Sequence, residues 1–142
     1  MGSIRGSELC KNILNEFNYD FGNVFVFDGF VISEINEGIT FSWELHAKKI
    51  VEDVSSFFDT DGNDIIYISH RINSYAVKPV DWLNFFKHSY NLKGYGVVGY
   101  TQGSFMNSIV ESLFFNKKIK RFSSIDAAVQ WATDKVLAEV ED

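Results

Sequence analysis

The spacing of apolar positions divides the chain into short blocks. Val24–Phe27 and Phe30–Ile35 are rich in β-branched and aromatic residues and flank Asp28-Gly29. An Asp-Gly pair in that setting predicts a β-hairpin, because a tight hairpin turn wants positive φ at its central residues. Residues 12–19 read as one more strand-like stretch. From Ser42 to Phe58 the period changes to three or four, through Ala47, Ile50, Val51, Val54, Phe57 and Phe58. That spacing predicts a helix capped by Ser42.

The later blocks alternate in the same way. Ile65–Ser69 predicts a strand, and Pro79 suits the first turn of a helix bearing Trp82, Phe85 and Phe86. Tyr95–Tyr100 predicts a buried strand. Thr101 or Ser104 then caps a helix whose apolar side is Phe105, Met106, Ile109, Val110, Leu113 and Phe114. Ile119–Phe122 predicts a short strand. Ser123 with Asp126 resembles a capping box for a last helix carrying Ile125, Ala128, Val129, Ala132, Val136 and Val140. The order (β)ββαβαβαβα implies an α/β fold: a mixed, mostly parallel sheet with an N-terminal β-hairpin and about four helices. Residues 1–11 read as a flexible leader and 12–142 as a single domain.

Composition narrows the functional classes. With 142 residues the chain can bury a core without disulfides. Thirteen Lys and Arg against 19 Asp and Glu give a net charge of −6, which argues against nucleic acid as partner. A single Cys, Cys10, leaves no intramolecular disulfide or cysteine-based metal centre. Apolar runs such as Val24–Phe27 fall far short of the roughly 20 residues a membrane span needs. No apolar signal stretch follows the N-terminus, so a cytoplasmic protein is expected.

Several stretches resemble chemical motifs. Gly94-Tyr-Gly-Val-Val-Gly99 matches G-x-G-x-x-G, but a dinucleotide fingerprint follows a strand and opens a helix, whereas this match lies inside a strand. Asp59-Thr-Asp-Gly-Asn-Asp64 resembles the start of a calcium loop. The sixth and twelfth places hold Asp64 and His70 instead of Gly and Glu, so a polar turn is expected. Cys10, His46, His70 and His88 show no nucleophile–base pattern. No catalysis and no cofactor are expected. Phe114–Arg121 is the one basic run; Phe115, Lys117, Lys118 and Lys120 offer at most a peripheral contact with an anionic membrane surface. The loop His70–Val77 follows a central strand, where open α/β sheets collect ligands. Its Arg71, Asn73, Ser74 and Tyr75 are the candidate contacts to a ligand or partner.

The C-terminal part carries a family resemblance. Tyr95-Gly-Val-Val-Gly-Tyr100, the helix ending Leu113-Phe-Phe, Ile119-Lys-Arg-Phe122 and Ser124-Ile-Asp-Ala-Ala-Val-Gln-Trp131 together resemble the SpoIIAA-like, or STAS-like, family, over about residues 22–137. The resemblance implies a non-catalytic regulatory or protein-interaction module. It also admits a ligand sensor, because the SpoIIAA-like branch is compared with lipid-transfer domains. Antagonist members carry a phosphorylated Ser in an Asp-Ser-Ser-Gly motif. This chain has Asn73-Ser74-Tyr75-Ala76 there, without the acidic residue and the Gly, so Ser74 is the candidate hydroxyl. The expected partner is a protein, a small apolar ligand or a second copy of the chain.

Overall fold

The computed structural model describes the backbone of residues 2–141 and the side chains of residues 2–138. The side chain of Val140 and the acidic pair Glu141-Asp142 lie outside the described side chains. Strands β1 (Asn15–Tyr19), β2 (Gly22–Phe27) and β3 (Phe30–Ile35) form an antiparallel meander. Of the Asp28-Gly29 turn only Gly29 has positive φ, at 85°, so the turn needs one such residue rather than two. A π-helical turn, Trp43–Ala47, then runs into α1 (Lys48–Phe58). β5 (Ile66–Arg71), β7 (Gly94–Gly99) and β8 (Lys120–Phe122) add to β3 in parallel, giving the order β1-β2-β3-β5-β7-β8. The remaining helices are α2 (Trp82–Lys87), α3 (Gln102–Glu111) and α4 (Ile125–Glu141). The mixed sheet and its helices therefore agree with the expected class.

Two strands too short to show in the apolar pattern, β4 (Thr40–Phe41) and β6 (Ala76–Val77), pair in parallel. They tie the chain entering the π turn to the chain entering α2.

Side chains alternate between the two sheet faces. The row Val26–Val31–Tyr67–Tyr95 lies on the face covered by α1 and α2, next to Val24–Ser33–Ser69–Val97. The opposite face presents Phe25, Phe27, Ile32, Ile66 and Ile68 to Ala128 and Ala132 of α4. There the Gly-rich match explains itself, since it occupies β7 alone. A Cβ on Gly96 would lie 2.9 Å from Trp131 Cζ3, and one on Gly94 3.2 Å from Cη2. These glycines admit the Trp131 indole onto the strand.

Within the N-terminal stretch Ile4 is 1% exposed and belongs to the α4-side core, where its aliphatic side chain completes an apolar cluster. Two expectations are corrected. α4 is capped by Ser124, whose Oγ accepts from the Ala127 N–H at 3.2 Å, instead of by Ser123. α3 faces the other way round. Met106, Ile109, Val110 and Leu113 are 44–77% exposed, whereas Ser108 and Glu111 are buried. Strand β5 sends the buried Arg71 towards α3, and a buried guanidinium requires an acceptor there, which Glu111 supplies; the exposed Arg121 of β8 donates through Nε to Ser108 Oγ at 2.9 Å.

Candidate cavity and its buried polar floor

A cavity of about 110 Å³ lies above Val31, Tyr67 and Tyr95. Ile50, Val51 and Val54 of α1 form one wall, and Trp82 and Phe85 the other, with Ala47 and Trp43 of the π turn between them. The exposed Asp61 and Lys78 are also among its lining residues, so the space opens toward the surface. Local bonds hold the walls. Ser42 Oγ accepts from the Leu45 N–H at 3.4 Å, and Asp81 Oδ2 accepts from the Trp43 N–H at 2.8 Å. The second bond joins the start of the π turn to the start of α2. Tyr67 and Tyr95 stack beneath at 5.2 Å, and Tyr95 and Trp82 meet at 4.9 Å. Within this apolar lining, Trp43 Nε1 is a buried donor with no partner. Such a group is uncommon in a folded protein.

Beneath the cavity the polar groups are fully engaged. Arg71 is 3% exposed and Glu111 is 0% exposed. Arg71 Nη2 donates to Glu111 Oε2 at 2.5 Å and to the Tyr95 hydroxyl at 2.8 Å; its Nε donates to Ser69 Oγ at 3.1 Å. The other oxygen, Glu111 Oε1, accepts from the Tyr95 hydroxyl at 2.6 Å and from Trp82 Nε1 at 3.1 Å. Burial opposes the charge of Arg71, but the neighbouring Tyr95, Tyr75 and Glu111 more than offset it and hold the guanidinium charged. Burial, reinforced by the Glu111 carboxylate, pushes the Tyr95 phenol well above its ordinary range. The charges neutralise one another, so the floor offers no free acid, base or nucleophile to a guest.

The predicted site residues scatter. Arg71 belongs to this floor and not to a surface. Asn73 Nδ2 donates to the Ile35 carbonyl at 3.0 Å, and Tyr75 and Ser69 share a hydroxyl hydrogen bond at 2.7 Å. Ser74 is exposed. Ser74 and Tyr75 do meet Thr101, Ser104 and Asn107 around a shallower, polar depression of about 390 Å³. Phe115 is buried against Trp82 and Tyr95, because the chain after α3 turns it inward, so it is absent from the basic surface. Lys117 Nζ donates to the Leu92 carbonyl at 2.6 Å, while Lys118 and Lys120 are exposed. The Asp59–Asp64 stretch is a turn packed on Asn91, and Gly62, at φ 100°, has no room for a side chain.

Trp43, Tyr67, Trp82, Tyr95 and Glu111 come together here although no spacing in the sequence groups them. The available signal was the period-two series Tyr67, Ser69, Arg71, which puts polar atoms on one sheet face. Among the described residues no group of three His, Cys, Asp or Glu could hold a metal ion, and no helix is long and apolar enough to cross a membrane. The chain matches no known protein family, no curated protein and no solved structure.

Proposed function

We propose that this chain is a non-catalytic binding module that takes up a small, uncharged, apolar molecule between α1, α2 and the sheet. The carrying observation is the apolar cavity above Tyr67 and Tyr95, floored by a self-neutralised polar network. A void of this order takes a guest of about the size of a benzene ring. The resemblance to the SpoIIAA-like family, with its ligand sensors, supports the same reading, as does the hairpin followed by alternating strands and helices.

Thermal unfolding with and without benzene tests it. Ligand that binds only the folded state raises the midpoint, by an amount that grows with the logarithm of its concentration relative to its dissociation constant. Wild type should be stabilised by benzene. Ala47→Leu, which adds three carbons beside the void, should lose that response while still folding. An unchanged wild-type midpoint at saturating benzene would refute the reading.

A second reading, a protein-interaction module, is favoured by the outward stripe of Met106, Ile109 and Val110 on α3 with Leu113 in the turn that follows it. Exposed apolar surface of that extent marks contact sites. Sedimentation equilibrium of the protein and its Val110→Asp variant tests the homodimeric form. Dissociation by the variant supports it, and a monomeric wild type removes it.

A further inference from the structure

The carboxyl ends of β3, β5 and β7 bring Glu34, His70 and Tyr100 together on the α4 side. Glu34 and His70 are both buried. His70 Nδ1 bonds Glu34 Oε2 at 2.9 Å, and its Nε2 bonds the Tyr100 hydroxyl at 2.7 Å. The imidazole thus bridges the Glu34 carboxylate and the Tyr100 hydroxyl through its two ring nitrogens. This is the end of the sheet at which open α/β folds bind ligands. The occupant is the chain itself. The Ser3 hydroxyl donates to Glu34 Oε1 at 2.5 Å, and the Ile4 N–H donates to Oε2 at 2.9 Å.

The contact has the form of a short peptide whose one buried side chain is Ile4, with the half-buried Leu9 packed against the same cluster. Ile4 enters the cluster of Phe25, Ile32 and Ile68, whereas residues 5–8 are exposed. Arg5, immediately after, pairs with Glu16 and also donates to Asn18 Oδ1 at 3.3 Å on β1. A buried carboxylate thus reads a hydroxyl and a backbone N–H, an apolar hole reads an aliphatic side chain, and an acidic rim residue reads a base. Each element also fits another chain with the same order of groups.

We propose that the Glu34–His70 end of the sheet is a peptide-binding site for a hydroxyl–aliphatic–basic segment, with Ser3-Ile4-Arg5 as its resident occupant. A tethered occupant competes at an effective concentration of about millimolar, so the site opens only to a better or more concentrated segment.

The test uses the full chain and a fluorescent peptide of residues 2–8. Ile4→Asp places a carboxylate in an apolar hole beside Glu34 and expels the segment. The folded variant should bind the peptide roughly tenfold or more tightly than wild type does. Adding Glu34→Gln should weaken that binding by roughly tenfold, because charge-assisted bonds to the segment are lost. Circular dichroism monitors folding, and Ile4→Ala serves in the same assay if Ile4→Asp unfolds. Equal binding by wild type and the folded variant, no binding by it, or indifference to Glu34→Gln would each overturn the proposal. Unfolding of both Ile4 variants would also overturn it, since the segment would then be an integral part of the core.

Discussion

Glu111→Gln probes the floor of the cavity with almost no change of shape. The amide retains one oxygen that can accept from Tyr95 and Trp82. Its nitrogen, however, meets the Arg71 guanidinium, a donor facing a donor, at the 2.5 Å contact. Arg71, 3% exposed, becomes a buried charge with no counter-ion. Removing one partner from a buried pair costs about 3–5 kcal/mol. Unfolding entropy of about 2.1 cal/mol/K per residue makes that roughly 10–17 °C in the melting temperature for a chain of this length. Adding Arg71→Met removes the stranded charge, so the double variant should regain part of the loss. The residual cost, about 1–3 kcal/mol, reflects polar groups left short of partners, such as the new side-chain amide on α3. Calorimetry of the two single variants and the double completes the cycle. A Glu111→Gln shift below about 3 °C, or single losses that simply add, would refute a buried, coupled pair.

Three further outcomes follow from other parts of the fold. Burial disfavours the charge of Glu34, but bonds from His70, Ser3 and the Ile4 amide hold its carboxyl below the ordinary range. A lowered folded value stabilises above the ordinary carboxylate range, and that contribution is lost as pH falls through the folded value. Urea unfolding at neutral and acid pH should therefore show the gap between wild type and Glu34→Gln shrinking in acid; a constant gap would contradict it. Burial raises the phenol pKa values of Tyr67 and Tyr95 above 10, so their contribution is intact below pH 10 and is lost as alkali rises through the folded values. Phenolate absorbance should then appear for these two only together with unfolding, and their ionisation in an intact fold near pH 10 would count against the packing. Gly96→Ala sets a methyl 2.9 Å from Trp131 and 3.3 Å from Phe122. It should cost about 1–3 kcal/mol in urea unfolding, with altered Trp fluorescence; unchanged stability would show that Trp131 does not press on β7.

The order of elements was legible because its signals are local. Asp28-Gly29 between two β-rich blocks, Ser42 ahead of a three-to-four period, and Pro79 at a helix start each act through nearby backbone. The orientation of α3 was not legible. Its apolar stripe points outward because the buried Arg71, distant in sequence, needs Glu111. Arg71 at the end of β5, and Asn73 and Tyr75 after it, have the right chemistry for recognition, yet their polar atoms serve Glu111, the Ile35 carbonyl and Ser69. The place of Ile4 is hidden for the same reason. A single aliphatic residue in a polar segment carries no period, and only the assembled sheet supplies its pocket. The cavity likewise depends on the distance between α1 and α2, which no run of residues encodes.

Diffraction from crystals held under xenon shows whether the space above Tyr67 and Tyr95 takes an apolar guest, because xenon enters dry apolar cavities without needing a specific bond. A xenon peak is expected enclosed by Tyr67, Tyr95, Val51 and Phe85, and it should disappear in Ala47→Leu. Ordered water there, or no density while xenon occupies other sites, would contradict an apolar binding cavity.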